Sequence, residues 1–280
     1  MKYYAFIFFG LLIFNALSAQ DDVDMRKRYF PVERKVVKDF PDKEHFWIFI
    51  MAGQSNMAGR GQVEPADTMD DPRILSLDAQ HRWILAKEPL HYYEPNLTGL
   101  DCGLSFARTL LEGIPPDITV GILPCGIGGS SVEQWLGDSL FRGVHLVSNF
   151  KENVDLAQAK GTLKGIIWHQ GESNAKTELI PSFREKLQNL FTDFREYVQN
   201  DHLPIVAGQL GSYTEPEERQ MRWDSINMNI RELAQDDPYT GVIKTNDLTE
   251  KGDKVHFDSR SQRLMGQRFA IKMLEMMARQ

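Results

Sequence analysis

The stretch "WIFIMAGQSNMAGRG", Trp47 to Gly61, joins an apolar run to a cluster of small and polar residues. Phe46 to Ala52 has the length of a strand. A strand that is apolar throughout is buried on both faces, as strands of parallel sheets are. Gly53, Gln54, Ser55 and Asn56 follow where that strand ends. Two readings of Ser55 stand at this point. It caps a helix starting near Met57, or it is a nucleophile held at a strand end.

Working outward, strand-like and helical patterns alternate. Asp101–Gly113 has apolar residues at helical spacing and stops at Gly113 and the Pro115-Pro116 pair. Asp117–Pro124 reads as a strand, Leu146–Gly161 as a helix ended by Gly161, and Leu163–Gln170 as a strand. A long helix over Thr177–Gln199, a strand at Pro204–Leu210 and a helix at Pro216–Gln235 come next. A strand at Gly241–Asn246 and a closing helix at Asp258–Arg279 complete the pattern. The alternation predicts βαβ units, a mostly parallel sheet covered on both faces, and one doubly wound α/β domain over 45–280. Asp67–Asn96 fits least well and reads as a long insertion with a short strand at Ile74–Leu77.

The 280 residues suit a single large domain, and 42% hydrophobic with 25% charged content is that of a globule with a sizeable core. The formal net charge is −7 without a Lys/Arg cluster, which argues against nucleic acid or an anionic membrane surface as partner. Residues 1–19 differ from the rest: Lys2, an apolar run to Phe14, then Ala16, Ser18 and Ala19. That layout predicts a cleaved export signal ending near Ala19, and so a periplasmic or extracellular protein. Residues 20–44 read as an N-terminal arm. Cys102 and Cys125 read as two buried free thiols. Nothing in the sequence sets the oligomeric state.

Ligands of an open parallel sheet bind beyond the carboxyl ends of its strands. Four such ends carry Gly53-Gln54-Ser55-Asn56, Gly126-Ile127-Gly128-Gly129-Ser130-Ser131, His169-Gln170-Gly171-Glu172 and Asp253-Lys254-Val255-His256. Together they supply the parts of acyl transfer: nucleophile, backbone donors, side-chain donor, and a base with an acid beside it. Each loop alone reads equally as turn chemistry. His256 is the preferred base because Asp253 lies three residues before it. His169 is its competitor, and His91 is set aside for want of a close acid. Asp258 reads as the N-cap of the last helix. Metal is not indicated, since the chain has no helical His-x-x-x-His or Cys-x-x-Cys.

"GQSNMAGRG", "GIGGSSVEQW", "WHQGESNA" and "GDKVHFD", in this order, resemble the motif blocks of SGNH hydrolases. More narrowly they resemble the carbohydrate-esterase branch with acetylxylan esterases and sialate O-acetylesterase-like domains. The resemblance implies a flavodoxin-like three-layer α/β/α sandwich and a serine esterase without cofactor or metal, acting on an acetylated carbohydrate. It implies Ser55 as nucleophile, His256 as base and Asp253 as its orienting acid. The oxyanion would rest on the N–H groups of Ser55 and Gly128 and the amide of Gln170, with Gln54 and Glu172 in support. The wider superfamily has asparagine where Gln170 stands. An inactive carbohydrate-binding module and a lipase or thioesterase on the same scaffold are the competing readings. Trp135 is read as a sugar platform or a half-buried helix residue, and Asn56 as turn chemistry.

Overall fold

The computed structural model describes residues 24–279, so the expected leader at 1–19 lies outside the described residues. Successive side chains of a strand point to opposite faces, and β1 (Phe46–Gly53) shows why it sits mid-sheet. Phe46, Ile48, Ile50 and Ala52 enter one core, while Phe49 and Met51 enter the other.

In chain order there follow α1 (Ser55–Ala58), β2 (Ile74–Leu77), β3 (Trp83–Leu85), α2 (Gly103–Glu112) and β4 (Thr119–Pro124). Next come α3 (Val132–Leu136), the short hairpin strands β5 (Leu140–Phe141) and β6 (Val144–His145), α4 (Leu146–Lys160) and β7 (Thr162–His169). The chain closes with α5 (Ile180–Val198), β8 (Ile205–Gly208), α6 (Glu217–Asp236), β9 (Thr240–Ile243) and α7 (Ser259–Met277). The seven-stranded sheet has the order β3-β2-β4-β1-β7-β8-β9, with only β3 antiparallel to its neighbour. Its parallel run β4-β1-β7-β8-β9 is the flavodoxin-like order, and the direction of winding reverses at β1. Helices α2 and α7 cover one face; α3, α4, α5 and α6 cover the other. The fold is an α/β three-layer sandwich.

The insertion over 67–96 is not separate from this sheet. It contributes β2, as expected, and also β3, which three residues could not announce. The arm then covers that edge. The Val37 N–H donates to Trp83 O (2.9 Å), the Leu85 N–H to Lys35 O (2.9 Å), and the Phe40 ring packs on Phe46 and Trp83. Edge strands left bare invite pairing with other chains, so the arm protects this one. Gly161 ends α4 with an extended backbone rather than a left-handed one. A Cβ there would lie 2.4 Å from Phe46 O, so close packing accounts for this glycine. Pro181 sits in the first turn of α5, which begins three residues later than its periodicity suggests.

Candidate active site

The site lies where β1 and β7 end, beside the reversal of winding. Gly53 has φ +134°, and a Cβ on it would sit 2.2 Å from His169 O, so only glycine allows the two strand ends to meet this closely. Gln54 is extended and its N–H donates to His169 O (2.9 Å). The one-turn helix α1 starts at Ser55 itself. Gln54 is therefore the N-cap residue, and Ser55 does not cap; its hydroxyl is free for another partner.

That partner is His256. Ser55 Oγ lies 2.9 Å from His256 Nε2, and His256 Nδ1 lies 2.8 Å from Asp253 Oδ2. An ionised carboxylate only accepts, so Nδ1 carries the proton and Nε2 receives the serine O–H. Asp253 is set by its own loop: Oδ1 accepts the N–H groups of Val255 (3.0 Å) and His256 (2.8 Å). Partial burial pushes the Asp253 carboxyl up. Hydrogen bonds from the His256 ring, the backbone and Lys251 outweigh that and hold it well below the usual carboxylate range. Asp258 caps α7 through the Ser261 N–H (2.7 Å). His169 is fully buried, bonds Gln209 O through Nε2 (2.9 Å), and is kept neutral by burial.

The expected oxyanion donors divide. Among the described residues no acceptor faces the Ser55 N–H. The Gly128 N–H, however, is held by Glu94 Oε2 at 2.6 Å. The Gln170 amide donates to Ser130 O (3.2 Å) and Asn174 Oδ1 (2.6 Å), which leaves neither hydrogen for a substrate. Gln170 instead stitches the glycine loop to the turn after β7. Gln54 ties the turn after β1 to that same turn, its Oε1 accepting the Ser173 N–H (3.2 Å). Trp135 is fully buried, donates to Ser130 Oγ (2.9 Å) and packs edge-on against Trp168 and Phe194. It is a core residue and offers no face to a sugar. Cys102 and Cys125 are buried free thiols.

Two features escape a reading of motifs. Asn56 is a bridge, not turn chemistry. Its Nδ2 donates to Glu172 Oε1 (2.6 Å) and Val255 O (3.1 Å), and its Oδ1 accepts the Phe257 N–H (3.0 Å). The residue after Ser55 thus grips the backbone on both sides of His256, and Glu172 serves Asn56 rather than Gln170 or His256. The second feature is a buried pair beneath the glycine loop. His91 Nδ1 lies 2.8 Å from Asp101 Oδ2, and His91 Nε2 accepts the Gly126 N–H (3.0 Å). His91 therefore has its acid after all, ten residues away. Neither contact has a local signal, since each joins distant segments. Among the described residues no three His, Cys, Asp or Glu side chains gather to hold a metal ion.

A family model described as carbohydrate esterase, sialic acid-specific acetylesterase matches residues 45–275. The chain belongs to this family. It is an SGNH-type carbohydrate acetylesterase. A probable carbohydrate esterase of Arabidopsis thaliana is 26% identical over 241 residues, covering 78% of this chain and 86% of the relative. A solved Arabidopsis thaliana structure superposes with a TM-score of 0.72 at 24% identity, over 84% of this chain and 99% of that one. NanS superposes with a TM-score of 0.69 at 17% identity, over 86% of this chain and all of that one, 100%. A carbohydrate acetylesterase from Xanthomonas citri gives 0.63 at 19%, over 84% of this chain and 57% of that one. At these identities the superpositions establish the fold. Among the described residues no helix is long and apolar enough to cross a membrane.

Proposed function

We propose that this carbohydrate esterase is exported and removes O-acetyl groups from a glycan through an acetyl-enzyme on Ser55. The observation that carries the reading is the unbroken line from Ser55 Oγ through His256 to Asp253, at 2.9 and 2.8 Å. Ser55 Oγ attacks the acetyl carbonyl carbon while its proton passes to His256 Nε2. Asp253, ionised, holds the ring in the tautomer that leaves Nε2 free and stabilises the imidazolium that forms. The Ser55 N–H, with no acceptor of its own, faces the developing oxyanion. His256 then gives the proton to the departing sugar oxygen. A water enters, loses a proton to the same Nε2 and attacks the acetyl carbon; the bond to Ser55 Oγ then breaks, Nε2 returns the proton to Oγ, and acetate leaves.

Export rests on the leader-like sequence of residues 1–19. N-terminal sequencing of protein recovered outside the cytoplasm is expected to begin near Gln20; recovery of an intact Met1 in the cytoplasm would exclude it. The reaction is tested by acetate release from a panel of acetylated xylan, sialate and pectin, with Ser55→Ala as control. Removing the nucleophile is expected to lower turnover on the order of 10⁶-fold with folding intact. Acetate release that persists in Ser55→Ala would sink the mechanism. Failure on every ester with glycan binding retained would point to a binding module.

A further inference from the structure

We infer that Lys251 is a positioning residue of the catalytic pair: its ammonium shares Asp253 with His256 and extends turnover towards mildly acid pH. This rests on Ser55, His256 and Asp253 acting as proposed above.

Asp253 Oδ2 has two partners. One is His256 Nδ1 at 2.8 Å and the other is Lys251 Nζ at 3.1 Å. Oδ1 is filled by the N–H groups of Val255 and His256. The ammonium of Lys251 and the imidazolium of the reacting enzyme therefore draw on the same oxygen. The backbone holds Lys251 in place. Its N–H donates to His256 O (2.9 Å), and an antiparallel bridge pairs Glu250 with Phe257. Gly252 and Lys254, at φ +112° and +61°, turn the chain between them. Glu250 Oε2 accepts the N–H groups of both, that of Lys254 at 2.9 Å. Residues 250–257 thus close on themselves and set Lys251 across from His256.

The other charged and titratable groups around the pair are engaged elsewhere. Lys254 Nζ turns to Glu215 (3.4 Å) and Glu250 (3.8 Å). Glu172, from the turn after β7, holds Asn56. Asp258 caps α7, and the Tyr213 hydroxyl donates to Val255 O (3.2 Å). His169, packed behind Phe257, is neutral. Among the described residues Lys251 pairs with no carboxylate but Asp253.

On taking the serine proton, His256 gains a positive charge. Asp253 favours that charge and Lys251 opposes it, since like charges a few ångströms apart repel. A proton from solvent makes the same imidazolium, and a ring so protonated cannot act as base. Lys251 therefore keeps the base available further into the acid range. In exchange, the pull on the serine proton is weaker at higher pH. The side chains of Lys251 and Asp253 are 34% and 35% accessible, so water screens the effect and keeps it moderate.

The test is the pH dependence of kcat/KM for 4-nitrophenyl acetate, whose acid limb reports protonation of the base. Lys251→Met removes the ammonium and keeps most of the stem. Its acid limb is expected to move up by roughly half a pH unit, with the plateau equal or raised. Lys251→Gln, which can still donate to Oδ2 without a charge, should reproduce that shift. Lys251→Arg should leave the limb in place, and Lys251→Glu should move it about twice as far. A limb that stays put or moves down in the Met and Gln variants would overturn the inference. So would a lowered plateau with an unmoved limb, which would make Lys251 a mere brace for Asp253. Both outcomes leave the nucleophile reading standing. Hydrolysis that persists in Ser55→Ala would remove that reading and the inference with it.

Discussion

Among the described residues, two acid–histidine pairs share one geometry and are put to opposite use. Asp253–His256 and Asp101–His91 each join a carboxylate to Nδ1 at 2.8 Å. The first is partly exposed, with side chains 22% and 35% accessible for His256 and Asp253; the second is sealed, at 2% and 0% for His91 and Asp101. What differs chemically is the group at Nε2. His256 faces the Ser55 hydroxyl, which can surrender a proton to it. His91 faces the Gly126 amide, which keeps its proton and is only held. A carboxylate behind an imidazole is therefore no mark of catalysis by itself. The atom in front of the ring decides.

The comparison can be broken most sharply at Asp253. Asp253→Asn turns a donor towards Nδ1, forces the other tautomer and places an N–H opposite Ser55. A fall in kcat of about 10⁴-fold is expected, with the fold retained. Steady-state acetate release measures it, and a fall of less than tenfold would mean that Asp253 is dispensable.

Next in size is Asn56, which couples the catalytic pair to its nucleophile. Asn56→Ala frees the backbone at Val255 and Phe257. Misplacing His256 by an ångström is expected to lower kcat about 10²-fold, with KM little changed. An equal change in both constants would assign Asn56 to substrate binding instead.

Asp101→Asn tests the buried pair. The same tautomer reversal there sets Nε2–H against the Gly126 N–H, leaving a buried donor without an acceptor. Stability should drop by about 1–3 kcal/mol, read by chemical denaturation, while the folded fraction keeps its pH–rate profile. A profile altered as in Asp253→Asn would erase the distinction between the pairs.

The smallest effect is that of acid on stability. The folded pKa of Asp253 is depressed, so its stabilising contribution is present above the unfolded value of about 3.9 and is lost as pH falls through the folded value. Thermal midpoints of wild type and Asp253→Asn should therefore converge as the pH drops below about 4. A constant gap down to strongly acid pH would mean that the charge of Asp253 does not contribute.

How much was legible follows from the range of each interaction. The apolar runs that became β1, β4, β7, β8 and β9 carry their periodicity in adjacent residues, and the loops after them hold Ser55, Gly128, Gln170 and His256. Asp253 and His256 are joined inside one four-residue turn, so their spacing already suggested the contact. β3 was missed because three residues carry no period, and its edge is covered by an arm some fifty residues earlier. Trp135 looked available from its place after a glycine loop; the neighbours that bury it come from β7 and α5. His91 was set aside for lack of a nearby acid, when Asp101 reaches it through the fold.

The sequence by itself determined the alternation of buried strands and helices, hence a parallel sheet, and the polar residues that the strand ends carry. Local pattern suffices there, because side-chain direction repeats every two residues in a strand and every 3.6 in a helix. Only the tertiary structure decided which histidine meets Ser55, which N–H groups of the glycine loop are already held, and that Asn56 grips a loop 199 to 201 positions away. Those are choices among partners distant in the chain, settled by packing that no local run of residues encodes.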